Sequence, residues 1–289
     1  MVTFLTSAVF LTILGIVDYA VAAALIGSGI MVALVGFLDD HNPIAVHWRL
    51  LTHFCAAAWA LGWLGGLPPV KVSGMLVNLG WLGNGLAVIC LVWLLNLYNF
   101  MDGIDGIAGF EAVTVGLAAT VLYLQRSAAG KEWLLPCLLA MTALGFLVWN
   151  WPPAKIFMGD AGSGFLGLMI GIMSVRAAWL DSELLWAWTI LLGVFVVDAT
   201  VTLSRRLQRD EIPHKSHHEH AYQHAASRLT AHGTVTLAVG GINLFWLFPI
   251  AMMVNLGLLS GLVGILIGYA PLVWLAIRFK AGVPAMSTT

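Results

Sequence analysis

Long apolar stretches dominate the chain, and short polar breaks separate them. A helix needs about 20 apolar residues to cross the hydrocarbon core of a membrane, and ten stretches approach that length. They lie at residues 2–17, 20–38, 50–66, 81–98, 104–124, 133–149, 161–179, 184–203, 234–254 and 257–277. The pattern therefore predicts an all-α fold, a polytopic transmembrane helical bundle of about ten spans.

The composition supports a membrane protein. Of 289 residues, 60% are hydrophobic and 9% are charged, whereas about 25% of residues are charged in an ordinary soluble domain. The only sizeable polar stretch is 204–233, so residues 1–289 are expected to form a single integral membrane domain. A formal net charge of -1 excludes the basic surface that nucleic-acid binding needs. The expected partners are membrane lipids and small molecules, with no nucleic acid.

Basic residues predict the orientation of the bundle, because cytoplasmic loops carry an excess of lysine and arginine. If the loop at Asp39 is cytoplasmic, alternation of the spans places both termini and most of the 13 basic residues on that side. The basic residues placed there are Arg49, Lys155, Arg205, Arg206, Arg209, Lys215, Arg228, Arg278 and Lys280.

Polar side chains with potential chemistry follow four of the stretches, and alternation places all four groups on the same face. Asp39 and Asp40 follow the second stretch, and a histidine-rich loop follows the eighth. The fourth and sixth stretches are followed by Asn99, Asp102, Asp105, Asn150 and Asp160. A random scatter would divide these groups between the two faces. Their convergence predicts one active site at the cytoplasmic face.

Clustered carboxylates repel one another unless a cation lies among them, and hard divalent cations prefer oxygen ligands. The acidic groups therefore predict a site for Mg²⁺, or for Mn²⁺. Each acidic motif has an alternative interpretation when it is considered alone. The aspartate pair at 39–40 is also typical of a solvated helix end, and the segment MDGIDG is also typical of a turn followed by helix capping. The glycine-rich turn in FMGDAGSG predicts free backbone N–H groups suited to a phosphate.

The loop PHKSHHEHAYQH carries five histidines. Such a tract is either an adventitious metal binder on a solvated surface or, beside an anion site, a source of phosphate contacts. Asp198 lies inside the eighth stretch, where a carboxylate is a functional candidate, but an ion pair with Arg205 or Arg206 is the favoured interpretation. Phe157, three residues before Asp160, either packs in the protein or stacks on a nucleobase.

Taken together, the motifs GFLDD, NLYNFMDGIDGIAG, NWPPAKIFMGDAGSGFLG, DATVTLSRRL and HHEHAYQ are recognisable. In this order and spacing the chain resembles the polyprenyl-phosphate N-acetylhexosamine-1-phosphate transferases, which include the phospho-N-acetylmuramoyl-pentapeptide transferase. The form H-x-x-H-A-Y-Q at 217–223 resembles the branch that starts O-antigen or related surface polysaccharides. The resemblance implies that a UDP-N-acetyl sugar and undecaprenyl phosphate give undecaprenyl-diphospho-sugar and UMP, with Mg²⁺ required, in the bacterial inner membrane.

The resemblance also implies roles for individual residues. Asp160 and Asp102 would bind the metal, and Asp39 and Asp40 would lie near the lipid phosphate. Asn99 and Asp105 would line the nucleotide and metal site, and Asn150 and Phe157 would hold the uracil. Arg49 would occupy a basic position of the first cytoplasmic loop. His217 or His220 would contact the diphosphate, and His218 would be a further substrate contact.

Other expectations complete the prediction. The family's first span and its basic loop have no match here, so the chain is expected to lack them. Direct attack by the lipid phosphate is favoured over a covalent aspartyl intermediate. The competing hypotheses are a divalent-cation transporter, disfavoured because its carboxylates should lie near mid-membrane, and an inactive truncated homologue. A homodimer would be in keeping with the family.

Overall fold

The structure is a computed structural model that describes residues 1–210 and 219–284, except for the side chain of Ala128. Its described part is almost entirely helical. The helices are α1 Val2–Ile13, α2 Tyr19–His41, α3 Val46–Leu64, α4 Gly80–Met101, α5 Ile107–Leu124, α6 Leu134–Asn150, α7 Gly159–Leu180, α8 Ser182–Leu191, α9 Gly193–Leu207, α10 Ala221–Leu229, α11 His232–Ile242, α12 Phe248–Asn255 and α13 Gly261–Arg278. A π-helical turn at Asn243–Leu247 joins α11 to α12.

Helix α7 forms the centre of the bundle. Nearly every residue from Ala161 to Ala178 is buried, and α2 and α4 pack along it. Its sequence is rich in glycine and other small residues, which allow helix backbones to approach closely. The closest approach is to α2, where a Cβ atom at Gly36 would lie 2.4 Å from the Cα of Ala161. Because α7 begins at Gly159, this crossing fixes α2 beside the first turn of the central helix.

The structure does not confirm the predicted number of spans. A helix is present at each of the ten predicted stretches, and within residues 1–210 and 219–284 six helices are long and apolar enough to cross a membrane: Tyr19–His41, Gly80–Met101, Ile107–Leu124, Gly159–Leu180, His232–Asn255 and Gly261–Arg278. The number of spans is seven if α8 and α9 form one. Val2–Ile13 and Leu134–Asn150 are shorter apolar helices. The chain is therefore a multi-pass membrane protein, and the count of about ten stays a prediction.

Two local features differ from the expected architecture. The predicted span at 184–203 is two helices, α8 and α9, whose axes differ by 66°. Residues between α3 and α4 form an antiparallel hairpin of two short strands, β1 at Val70–Val72 and β2 at Met75–Val77. The hairpin is a small departure from the all-α prediction.

Helix direction defines the two ends of the bundle. One end, here called the site end, holds the last turns of α2 and α4 and the first turns of α5 and α7. The other, here called the opposite end, holds the hairpin and the last turns of α5 and α7. Contacts between Asp105 and Ala154 at the site end, and between Lys71 and Ser182 at the opposite end, confirm that these segments meet.

Candidate active site

A cavity of about 300 Å³ opens at the site end, where the α4–α5 and α6–α7 loops meet the start of α7. Both loops are short, so each predicted polar residue remains close to a helix end. The lining residues are Asn99, Asp102, Gly103, Ile104, Asp105, Asn150, Phe157, Met158, Gly159, Asp160 and Ser163. Six of the residues singled out from the sequence therefore line a single cavity, here called the acidic cavity.

Asp102 and Asp160 bring two carboxylates to this cavity. Asp102 ends α4, and Asp160 lies in the first turn of α7. Burial and the charge of Asp160 raise the pKa of Asp102 to about 7, because both factors disfavour a second negative charge. Asn99 is a hydrogen-bonding neighbour of Asp160. The acidic cavity is thus a place where an added positive charge would be stabilised.

A magnesium ion fits this pair of carboxylates. Within residues 1–210 and 219–284, no group of three or more His, Cys, Asp or Glu side chains is arranged to hold a metal. Mg²⁺ does not need such a group, since it is commonly bound by one or two carboxylates and completes its shell with water and substrate phosphate. Asp102 and Asp160 are the two residues that would hold it.

Arg49 provides a positive charge beside the cavity. Its Nη1 atom donates to the Oδ2 atoms of both Asp39 and Asp160, at 3.0 Å from the latter. Asp39 is further fixed by the backbone N–H of Ile44, which donates to Oδ1 at 2.6 Å. The structure therefore brings Asp39 and Arg49, from α2 and α3, to the acidic cavity through Asp160.

Asp40 caps the central helix. Its Oδ1 accepts from the backbone N–H of Asp160 at 3.0 Å, and its Oδ2 from that of Ala161 at 3.4 Å. Gly159 has φ +64, and a Cβ atom there would lie 2.6 Å from Asp40 Oδ2. The prediction of free N–H groups for a phosphate in this turn is therefore wrong for these two amides, because a carboxylate from α2 already accepts from them.

Asp105 and Asn150 connect the two loops to each other. Asp105 Oδ2 accepts from the backbone N–H of Ala154 at 3.1 Å. Asn150 is buried, accepts from the N–H of Gly106 at 3.1 Å and donates to the carbonyl of Ile156 at 2.8 Å. Both ends of the Asn150 amide therefore bond to the main chain, while its predicted contact with uracil stays a prediction.

Phe157 is a highly exposed aromatic residue of the cavity wall. Its side chain is 79% exposed at the wall of the acidic cavity. An exposed aromatic ring in such a position is free to stack on a planar ligand. The alternative, that Phe157 packs in the protein interior, is wrong.

His220 and Asp198 form a buried pair away from the acidic cavity. His220 is 2% exposed, and its Nδ1 lies 3.2 Å from Asp198 Oδ1. The two oxygens of Asp198 also accept from the backbone N–H groups of Ala221 and Tyr222, both at 3.0 Å. Asp198 therefore holds the first turn of α10, and the predicted ion pair with Arg205 or Arg206 is wrong.

The arginines of α9 have other partners, since Arg205 donates to the carbonyl of Ala281 at 2.9 Å and Arg206 lies 4.0 Å from Glu219. His220 is not among the residues that line the acidic cavity, and its predicted contact with the diphosphate stays a prediction. His217 and His218, which carry the other histidine predictions, lie outside the described residues.

Two residues that the sequence did not single out contact the site from α11. His232 and Thr236 both approach Asp105, although 127 and 131 residues separate them from it in the chain. A second cavity of about 510 Å³ lies beside the first and shares Gly103 and Ile104 with it. His232 lines this second cavity. A single histidine at a predicted helix start carries no sequence signal that would reveal such a contact.

The sequence was compared with known proteins. The family model described as glycosyl transferase family 4 matches residues 22–178. A Bacillus subtilis (strain 168) protein named as a probable undecaprenyl-phosphate N-acetylglucosaminyl 1-phosphate transferase is 34% identical over 207 residues, which are 68% of this chain and 57% of that protein.

Two proteins named phospho-N-acetylmuramoyl-pentapeptide-transferase are also similar. The one from Moorella thermoacetica is 36% identical over 61% of this chain and 57% of its own length. The one from Rhodopseudomonas palustris is 33% identical over 63% of this chain and 56% of its own length. The chain thus spans little more than half the length of the curated relatives that it matches.

Proposed function

Because the chain belongs to glycosyl transferase family 4, we propose that it transfers a sugar 1-phosphate from a UDP-linked N-acetylated sugar to undecaprenyl phosphate. The products are undecaprenyl-diphospho-sugar and UMP. The observation that carries this proposal is the acidic cavity, in which Asp102 and Asp160 lie beside Arg49 at one end of the bundle. The names of the similar proteins support the same reaction class.

The expected mechanism is a direct displacement. A lipid phosphate is largely a dianion at neutral pH, because the second pKa of a phosphomonoester is near 6, so it needs no general base. Its oxygen attacks the sugar-bearing phosphorus, and the bond from that phosphorus to the bridging oxygen breaks. UMP leaves with the bridging oxygen and its electron pair. The chain's contribution is to position the two phosphates and to stabilise the charge between them.

Five residues in or beside the cavity have a part in this scheme. Asp102 and Asp160 would hold Mg²⁺, which when bound would neutralise charge on the diphosphate. Arg49 is placed to attract the lipid phosphate, since its guanidinium lies at the edge of the cavity between two carboxylates. Phe157 presents an exposed ring to the uracil. Asp40 holds the first turn of α7 so that Asp160 stays in place.

The proposal includes a cytoplasmic site in the bacterial inner membrane. Its support is the excess of basic residues predicted on the side of the Asp39 loop. The H-x-x-H-A-Y-Q form at 217–223 supports a product that initiates O-antigen or a related surface polysaccharide.

A UMP-release assay tests the proposal. The protein is purified in detergent and mixed with undecaprenyl phosphate, Mg²⁺ and each member of a panel of UDP-N-acetyl sugars. We expect UMP release that requires the lipid, stops with EDTA and is absent in Asp160→Asn. Release that is equal without the lipid, or that persists in EDTA, would contradict the proposal. Absence of UMP release from every sugar of the panel would also contradict the proposal.

A further inference from the structure

Three segments of the chain meet at Asp105. The residue itself belongs to the α4–α5 loop, its carboxylate binds the α6–α7 loop at Ala154, and α11 contacts it from a third direction. The Nδ1 atom of His232, the first residue of α11, lies 3.5 Å from Asp105 Oδ2 and 3.4 Å from its backbone nitrogen. One turn later, the hydroxyl of Thr236 donates to the carbonyl of Asp105 at 3.0 Å.

Helix α11 therefore holds the main chain of Asp105 at two points, because His232 Nδ1 accepts from its N–H and Thr236 donates to its carbonyl. The two α11 residues are four apart, so they lie on one face of the helix. Thr236 is completely buried, and its hydroxyl has the Asp105 carbonyl as its acceptor. A buried hydroxyl bond of this kind restricts how far the two segments can shift, because separating them would leave polar groups without partners.

The α6–α7 loop depends on this arrangement. It is held at Ala154 by Asp105 and at Ile156 by Asn150, and the next residue is Phe157. The exposed ring of Phe157 has few packing neighbours of its own, so its position is set by the backbone on either side. Asp105 is the connection through which α11 can act on that backbone.

We infer that His232 and Thr236 are positioning residues for the nucleotide part of the donor, acting through Asp105 on the loop that carries Phe157. The inference rests on the proposed function. His232 and Thr236 lie outside the set of residues that line the acidic cavity, so they act at a distance from Asp102 and Asp160. Their loss should raise the KM for the UDP-sugar while kcat and the KM for undecaprenyl phosphate stay nearly unchanged.

Thr236→Val is the sharpest variant, because it removes one hydroxyl and keeps the branched shape. Thr234→Val is the matched control, since Thr234 lies two residues away on the same helix with an exposed side chain. We expect Thr236→Val to raise the KM for the UDP-sugar about fivefold, as for the loss of one hydrogen bond, and Thr234→Val to match the unmodified protein. Equal values for the two variants, or a fall in kcat with KM unchanged, would overturn the inference.

A second pair of variants examines the imidazole. His232→Ala removes the acceptor of the Asp105 backbone N–H, whereas His232→Asn offers a carbonyl oxygen as an acceptor close to the position of Nδ1. We expect His232→Ala to raise the KM for the UDP-sugar severalfold and His232→Asn to restore most of it. Equal KM values for the alanine and asparagine variants would overturn the positioning role of His232.

A measurement that does not depend on enzymatic turnover can test this inference separately from the proposed function. Hydrogen exchange followed by mass spectrometry reports the protection of peptides covering residues 151–158. Faster exchange there in Thr236→Val than in Thr234→Val would support the positioning role even for a chain that releases no UMP. Identical exchange in both variants would overturn the inference, whatever the activity. UMP release by the unmodified protein, scored separately, decides the proposed function.

Discussion

The two ends of the bundle treat charge in different ways. At the opposite end, acids and bases from different segments pair directly. The pairs are Lys71 with Glu183 at 3.6 Å, Arg176 with Glu132 at 2.6 Å, and Arg126 with Asp181. At the acidic cavity of the site end, by contrast, Arg49 lies among several acids and contacts two of them, Asp39 and Asp160.

The difference indicates what each set of charges is for. Paired charges satisfy one another and connect helices, and they need nothing from outside the protein. At the acidic cavity the carboxylates outnumber the arginine that contacts them, so the site carries an unfavourable repulsion that a divalent ion and its phosphate ligands would relieve. Such a concentration of like charge is typical of a functional site.

The largest effect is expected from matched acid-to-amide changes at the two ends. Asp160→Asn should lower UMP release about 1000-fold or more, as for the loss of a group that stabilises transition-state charge. Asp181→Asn, which breaks the pair with Arg126, should leave turnover within about threefold and lower the melting temperature. A comparable loss of turnover in both variants would show that the two ends are not functionally distinct.

Arg49 can be compared with Arg176 in the same way. Arg49→Met should lower turnover about 10-fold to 100-fold, because the lipid phosphate loses a nearby cation. It should also lower the Mg²⁺ concentration needed for half-maximal rate about threefold, since a like charge beside the metal is gone. Arg176→Met should leave the Mg²⁺ requirement unchanged. A higher Mg²⁺ requirement in Arg49→Met would mean that the arginine assists metal binding.

A smaller effect is expected from the cap that Asp40 gives α7. Asp40→Ala leaves the N–H groups of Asp160 and Ala161 without their acceptor and should lower the melting temperature by about 3 °C, as for the loss of a helix cap. Asp40→Asn keeps a carbonyl oxygen and should recover most of that loss. Thermal unfolding in detergent provides the measurement, and equal melting temperatures for the two variants would contradict the capping role.

An effect no larger than that of the cap concerns the pH dependence of stability without metal. The raised pKa of Asp102, about 7, means that the folded protein holds a proton that the unfolded chain releases near pH 4. Stability therefore falls as pH rises from 5 to 8. In EDTA, Asp102→Asn should raise the melting temperature by about 3 °C at pH 8 and by less at pH 5. A gain that is equal at both pH values would show that ionisation is not the cause.

Much of the fold was predictable because apolar helices leave a strong sequence pattern. A helix lies at each of the ten expected stretches. The break at Leu192 was not predictable, since residues 184–197 are uncharged and apolar apart from Thr189 and Gly193. The hairpin was missed because each strand has only three residues, too few for an alternating pattern to be recognised.

Those parts of the site that depend only on the direction of the helices were predictable from the sequence. Asn99, Asp102, Asp105 and Asp160 lie within a few residues of helix ends, so alternation alone brought them together. Contacts that depend on how the helices pack could not be predicted from the sequence. Asp198 was assigned to arginines two helical turns away, yet its partner His220 lies 22 residues on. The partners of Asp105 on α11 are still more distant in the chain.

The crossing at Gly36 has a consequence for the protein in bilayers of different thickness. The backbones of α2 and α7 touch there, and Asp40, one turn along α2, bonds to the first turn of α7. Helices commonly adapt to a thicker or thinner membrane by tilting, but at this crossing the two helices can tilt only together. We therefore expect the spacing between Asp40 and Asp160 to stay constant as lipid chain length varies, while helices without such a contact adjust around it.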